Sequence, residues 1–194
     1  MTIDRSNRRV PAADIDSMFT DRWSPRAFAP VLLSQEQIDS LFEAARWSPS
    51  CSNEQPWLFV YASSATDRER FLSALLPGNQ VWCRHVPLLI FLLCRRHFTT
   101  NGKQNRHAPF DAGAAWMALA LQARKLGLHA HAMAGFDREV AYTILEAPAD
   151  QYDIMAAIAV GRRADPAVLP DTIAAKEKPS DRRPRGEMVR EGRF

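Results

Sequence analysis

The sequence predicts an α+β fold in which helices alternate with the strands of a mixed sheet. Short apolar runs of strand length alternate with longer segments of helical periodicity. One short run and one long segment are apolar almost throughout, as expected of elements buried on all sides. The 194 residues, 46% of them hydrophobic, can form one sizeable core, so we expect a single domain.

The N-terminal part begins with a polar arm. Residues 1–17 lack a sustained apolar period, and we place the domain at residues 18–194. Ser34 and Gln37 have the spacing of a capping box, and apolar residues then recur at helical spacing up to about Arg46. The first long helix is therefore predicted here.

Two strands are predicted in the middle of the chain. Residues 58–61 and 87–94 are apolar runs of strand length, and the second is apolar enough to be covered on both faces. Between them, residues 67–76 predict a surface helix that the Pro-Gly pair at 77–78 ends.

The C-terminal half continues the alternation. Residues 111–126 predict a helix apolar on all sides and therefore buried, with Gly127 at its C-terminal cap. Residues 129–133 predict a strand, residues 137–145 a short helix capped by its aspartate, and residues 154–160 a last core strand.

Composition argues against several classes of protein. No apolar run approaches the roughly 20 residues that span a bilayer, and the N-terminus has no apolar signal core, so we expect a cytoplasmic protein without membrane contact. The three cysteines have no C-x-x-C spacing, which argues against disulfides and zinc. His129 and His131 share one face of a predicted strand, but nothing completes a metal site, so we expect core or interface histidines and no metal.

The net charge of +3 is too small to imply nucleic acid unless it is concentrated. Arginines do cluster near the C-terminus, but Asp181, Glu187 and Glu191 interrupt them. Nucleic-acid binding is therefore not expected, because phosphate backbones select uninterrupted basic faces.

The first of two informative motifs is Arg22-Trp23-Ser24-Pro25-Arg26. In an extended segment, alternate residues point the same way, so two guanidinium groups and a hydroxyl can converge on one oxyanion. This arrangement is typical of a phosphate site.

The second motif covers residues 49–57, a run of small and amide side chains bracketed by prolines that disfavour helix. It offers hydrogen bonds and close approach but no pair of nucleophile and base. Such a segment suits the polar edge of a flat ring system. Its candidate site residues are Pro49, Ser50, Cys51, Asn53 and Gln55.

Together the motifs resemble the nitroreductase family of FMN-dependent oxidoreductases, whose pattern is R-x-S-x-R followed, after the first long helix, by A-P-S-S-x-N-x-Q-P-W. The resemblance implies a central mixed, mainly antiparallel sheet flanked by helices, in an intertwined homodimer that exchanges residues 162–194. It also implies FMN as cofactor.

By this resemblance Arg22, Ser24 and Arg26 hold the FMN phosphate and ribityl chain. The family completes the phosphate site with a cation either shortly after the last core strand or just before the closing segment. Gly161 with Arg163 matches the first place and Arg183 the second, and we retain both.

The isoalloxazine ring, by the same resemblance, lies against residues 49–55, in many members those of the other subunit. Asn79 resembles an asparagine at the ring edge. Met133, Ala134 and Gly135 match the place where a backbone N–H reaches flavin N5, and glycine permits that close approach. Some members have an acidic residue where this chain has Ala134.

The resemblance implies no catalytic side chain. NADH or NADPH would deliver a hydride to the flavin and leave, and a nitroaromatic, quinone or similar small-molecule acceptor would then take two electrons, in a ping-pong scheme. The polar loop at residues 95–109 is the candidate substrate rim. The alternatives are a non-catalytic flavin-binding protein of the same fold and a basic nucleic-acid-associated protein.

Overall fold

The computed structural model describes residues 9–194, so half of the predicted N-terminal arm lies outside the described residues. The first half of the chain contains α1 (Ser17–Asp21), α2 (Gln35–Arg46), β1 (Trp57–Ala62), α3 (Ala65–Ser73), α4 (Pro77–Cys83) and β2 (Leu88–Arg95). The second half contains α5 (Ala108–Lys125), β3 (His129–Met133), α6 (Arg138–Leu145), β4 (Tyr152–Gly161) and α7 (Asp171–Ala174).

The sheet has the order β1-β2-β4-β3, and all neighbouring strands are antiparallel. Alternate residues of β2 point to opposite faces. Leu88, Ile90 and Leu92 pack with α2 and α5, whereas Leu89 and Phe91 pack with the residues of α3 and α6. The structure thus confirms that this strand is buried on both faces.

Local signals predicted several boundaries well. Ser34 caps α2 in a complete capping box with Gln37. Asp137 accepts the backbone N–H of Val140 and caps α6, and β3 occupies the predicted residues.

The prediction that Pro77 and Gly78 end a helix is wrong. The preceding helix, α3, ends at Ser73, and Pro77 opens the separate helix α4. Proline is well tolerated in the first helical turn, where its missing N–H would have no intrahelical acceptor. Asn79 is therefore a helical residue.

Helix α5 also differs from its prediction. It starts at Ala108, and in the single chain it is buried on one face only; Phe110 is 81% exposed. Helices α1 and α2 and the sheet contact α5, and its exposed residues are concentrated in its first turns. Within the described residues, no helix is both long and apolar enough to cross a membrane.

Residues 27–29 pair with residues 162–164 just beyond the end of β4. The N–H of Ala29 donates to Arg162 O at 2.9 Å, and the N–H of Ala164 donates to Ala27 O at 2.9 Å. This pairing holds the Arg-x-Ser-x-Arg segment against the start of the C-terminal tail.

Candidate functional site

A cavity of about 350 Å³ lies between the Arg-x-Ser-x-Arg segment, β3 and the C-terminal tail. We call it the cationic cavity, and it is lined by Arg9, Arg22, Trp23, Ser24, Arg26, His131, Lys176, Lys178, Ser180 and Arg182. Six of these ten side chains are permanent cations at neutral pH, and none is a carboxylate. The wall is therefore suited to a polyanionic group.

Two segments line the cavity by alternation. Arg22, Ser24 and Arg26 face it from one segment, as the sequence predicted for an extended stretch, and Trp23 between them also forms part of its wall. The tail residues at 176, 178, 180 and 182 line it in the same alternating way. Sequence reasoning missed this second row, although its Lys-x-Lys-x-Ser-x-Arg spacing repeats the signal used for the first.

Glu177, between two of the lining lysines, attaches the tail to the first segment. Its Oε1 accepts the backbone N–H of Arg26 at 2.8 Å and of Ala27 at 2.9 Å. The carboxylate is buried, with 7% of the residue exposed. Glu177 therefore keeps the two rows of lining residues in register.

The cations of the cavity lie close enough to repel one another. Burial and then the guanidinium groups of Arg182 and Arg9 lower the pKa of Arg22. Burial and Arg182 also lower the pKa of Arg9, and Asp181 partly offsets this. An anion in the cavity would relieve the repulsion, which makes anion binding favourable there.

His131 is the lining residue whose side chain ordinarily titrates near neutral pH. Its Nδ1 lies 2.8 Å from the carbonyl oxygen of Pro25, and its ring packs against Trp82 with centroids 4.8 Å apart. Burial lowers the pKa of His131 to about 4, opposed by the hydrogen bond to Pro25 and assisted by Arg26 and Arg22. The imidazole is therefore neutral at pH 7.

We expect this histidine to sensitise the flavin-free protein to acid. The unfolded chain binds the proton near pH 6.5 and the folded chain near pH 4, so stability is lost as pH falls through this window. Urea unfolding measures the free energy of unfolding at pH 7 and at pH 4. Between these pH values, wild type should lose about 2–3 kcal/mol more of this free energy than His131→Gln. Equal pH dependence of the two proteins would contradict the assignment.

A path of contacts leads from the cavity to Gly135. Trp82, which packs on His131, donates its Nε1–H to Asn79 Oδ1 at 3.2 Å. The Asn79 Nδ2 group then donates to Gly135 O at 2.9 Å. Both ends of the asparagine amide are thus engaged, and the described contacts bring Asn79 and Gly135 together. Met133 and Ala134 precede Gly135 at the end of β3.

Gly135 leaves no room for a side chain. A Cβ there would lie 2.5 Å from Asn79 Nδ2, so we expect Gly135→Ala to displace the asparagine and lower the free energy of unfolding by about 1–3 kcal/mol. Gly78→Ala is the matched control, because a Cβ at Gly78 meets nothing within 4 Å and the residue lies in α4. Thermal unfolding should show a lower midpoint temperature for Gly135→Ala only. Equal midpoints for the two variants would show that the close approach of Asn79 to Gly135 is unimportant for stability.

The segment at residues 49–55 forms a tight loop with unusual backbone geometry. Ser52, Asn53 and Gln55 have φ of 54°, 55° and 50°, which is uncommon for residues other than glycine. Ser50 Oγ accepts the N–H of Gln55 at 2.9 Å, and the buried Asp111 accepts the N–H of Cys51 at 3.1 Å. Strain of this kind is concentrated at functional sites.

The predicted substrate rim lies beside this loop, because the N–H of Thr99 donates to Glu54 Oε1 at 2.6 Å. In the part of the chain that the structure describes, no hydrogen bond or ion pair joins residues 49–55 to the cationic cavity or to Gly135.

The remaining predicted residues lie near the cationic cavity but do not line it. Arg163 places its guanidinium 5.0 Å from the ring centroid of Trp23, which does line it. Arg183 lies 3.8 Å from Glu187 in an exposed ion pair, and its neighbour Arg182 lines the cavity. Gly161 is required for packing, because a Cβ would lie 2.9 Å from the ring of Pro87.

No group of three or more possible metal ligands occurs among residues 9–194. The two histidines of β3 are both buried and make different contacts. His129 packs edge-on against Trp23, with ring centroids 6.2 Å apart, whereas His131 lines the cationic cavity.

Comparison with protein families gives one match, to the model described as the nitroreductase family, over residues 19–81 and 73–162. A curated relative from Streptomyces coelicolor is 28% identical over 152 residues, which are 66% of this chain and 73% of that relative. It bears the provisional name NADH dehydrogenase/NAD(P)H nitroreductase.

Solved structures give the same result. An oxidoreductase described as containing FMN is 41% identical, with a TM-score of 0.93 over 97% of this chain and 96% of that one. A provisionally named nitroreductase from Desulfovibrio desulfuricans, solved in complex with FMN, is 24% identical, with a TM-score of 0.71 over 92% and 96% of the two chains. These neighbours confirm the predicted α+β fold.

Proposed function

Because the chain belongs to the nitroreductase family, we propose that it is an FMN-dependent oxidoreductase that uses NAD(P)H to reduce a small-molecule acceptor. The observation that carries the proposal is the cationic cavity, in which six cations and no carboxylate face one space. A dianionic phosphate monoester fits this donor set. The FMN-containing neighbour that is 41% identical supports the same cofactor.

The rest of the flavin would follow the contacts from the cavity to Gly135. Trp82 and Asn79 connect the two places. Gly135 then presents backbone without a side chain, as close approach to a ring requires. FMN, when bound, would supply the exchange of a hydride and of two electrons.

We propose that the polar loop at residues 49–55 completes the site of a second copy in a homodimer. Among residues 9–194, this loop makes no hydrogen bond to the cationic cavity of its own chain. Two large apolar side chains are exposed to solvent in the single chain. Trp47, just before the motif, is 74% exposed, and Phe110, at the start of α5, is 81% exposed. Burial of such side chains is a favourable term in dimer formation.

The chain's own side chains would bind and orient rather than react. Burial raises the pKa of Cys83 strongly and that of Cys94 to about 11, so both thiols remain protonated at neutral pH and neither is a nucleophile. The cationic cavity would hold the phosphate, and Asp111 would hold the loop at residues 49–55 through Cys51 N–H. We infer that acceptors such as nitroaromatics or quinones enter beside the loop at residues 95–109.

The test begins with the visible absorption spectrum of protein purified without added flavin. Flavin bands that bleach on anaerobic addition of NADH or NADPH, and return on addition of a quinone or nitroaromatic, are the expected result. The nucleotide that bleaches the flavin faster is the expected physiological reductant. We expect the protein to use it in the cytoplasm. A colourless protein that FMN cannot reconstitute would overturn the proposal.

A further inference from the structure

We propose that His131 is a further phosphate-contacting residue, which shares a proton with the FMN phosphate so that FMN binding takes up a proton from solvent. The inference rests on the proposed function, because it assumes that the phosphate of FMN occupies the cationic cavity. The inference adds His131, which neither sequence motif includes, to the residues that contact the phosphate. It also predicts that FMN binding depends on pH.

The geometry of the imidazole determines which nitrogen is available. Nδ1 lies 2.8 Å from Pro25 O, and since a carbonyl can only accept, Nδ1 carries the hydrogen. Nε2 makes no hydrogen bond within the described residues, and the ring lines the cationic cavity. In the neutral ring with hydrogen on Nδ1, Nε2 is an acceptor.

His131 Nε2 and the oxygens of a phosphate dianion are all acceptors, so a hydrogen bond between them requires an added proton. Two acceptors repel each other, whereas one proton held by Nε2 or by a phosphate oxygen makes a charge-assisted hydrogen bond. The proton comes from solvent, so the bound pair carries one proton more than the separated neutral histidine and dianion. No bond other than this hydrogen bond is formed.

The surroundings of the ring explain why the proton enters only with the anion. The permanent cations that share the cavity are Arg9, Arg22, Arg26, Lys176, Lys178 and Arg182. Burial, and then Arg26 and Arg22 among these cations, lower the pKa of His131 to about 4 in the flavin-free protein. A phosphate dianion offsets their field and adds an opposite charge, which raises that pKa.

The other elements packed around the ring add few titratable groups. The facing residue of β4 is Ala159, and α4 contributes the ring of Trp82. Cys83 follows that tryptophan with a thiol that stays protonated. The carboxylate of Glu177 accepts the backbone N–H of Arg26 close to the cavity, and a histidine variant separates its influence from that of His131.

The test is the Kd for FMN at pH 7, 8 and 9, measured by quenching of flavin fluorescence with the full chain freed of FMN. Over this range the phosphate of free FMN is already a dianion, and lysine and arginine stay charged. Wild type should bind about 5–10-fold more weakly at pH 9 than at pH 7. His131→Gln, which keeps a polar group but cannot ionise, should change less than twofold.

The matched control is His85→Gln, at an exposed histidine outside the cavity, which should retain the wild-type pH dependence. Calorimetry of FMN binding to wild type at pH 8, in two buffers of different protonation enthalpy, measures proton uptake without any variant. Uptake of about 0.3–0.5 proton per FMN is expected at pH 8, the amount that corresponds to a 5–10-fold change in Kd between pH 7 and pH 9. FMN binding without proton uptake would overturn this inference alone, and so would a wild-type pH dependence in His131→Gln. Absence of FMN binding at every pH would overturn the proposed function as well.

Discussion

Replacing Arg22 and Arg26 together by glutamine is expected to raise the Kd for FMN by about a thousandfold. Each guanidinium can make charge-assisted hydrogen bonds to a phosphate, and a hydrogen bond to a charged group contributes about 1.5–3 kcal/mol. Glutamine keeps polarity and much of the length of the side chain but removes the charge. Fluorescence titration of flavin-free protein with FMN measures the effect.

The matched control removes the same net charge elsewhere. Arg84 and Arg193 are exposed and lie outside the cationic cavity, so Arg84→Gln with Arg193→Gln should change the Kd by less than about threefold. If the Kd of the cavity variant rose by less than tenfold, or by no more than that of this control, FMN would not place its phosphate between Arg22 and Arg26.

Glu177→Ala is expected to lower the free energy of unfolding by about 2–5 kcal/mol. It removes the acceptor from two backbone N–H groups, those of Arg26 and Ala27, and an unsatisfied buried donor costs about 1–3 kcal/mol. It also releases the tail that carries Lys176, Lys178 and Arg182, so FMN should bind at least about tenfold more weakly. Urea unfolding and FMN titration measure the two effects.

Glu177→Gln separates geometry from charge. It keeps an acceptor oxygen for Arg26 and Ala27 but removes a negative charge from a site that attracts an anion, so FMN binding should be unchanged or tighter. Glu187→Ala, in an exposed ion pair of the same tail, should cost less than about 1 kcal/mol. Weaker FMN binding in Glu177→Gln than in Glu177→Ala would contradict the role of Glu177 as a tail anchor.

Most of the fold could be predicted because its signals are local. The capping box at Ser34, the cap at Asp137 and the fully apolar run of β2 each fix an element within a few residues. The pattern failed where a signal has two meanings. A Pro-Gly pair can follow the end of one helix or open the next, and here α3 has already ended at Ser73 and Pro77 opens α4.

Of the two rows that line the cationic cavity, the sequence predicted only one. The row at Arg22, Ser24 and Arg26 stands out because its spacing is short and regular. The cations that join it from residues 176–182 depend on the bonds of Glu177, and nothing in the local sequence shows that this carboxylate turns away from the neighbouring lysines to accept backbone N–H groups. The position of His131 in the cavity wall depends likewise on its contact with Pro25, from a distant part of the chain.

The bond between Glu177 and the backbone of Arg26 spans 151 positions of the chain. Contacts of such long range form late in folding, because a large loop must close before they are made. During synthesis the sheet can assemble as soon as β4 has emerged, whereas the cationic cavity must wait for residues 176–182. If the cavity holds the FMN phosphate as proposed, the chain captures flavin only after residues 176–182 have been synthesised.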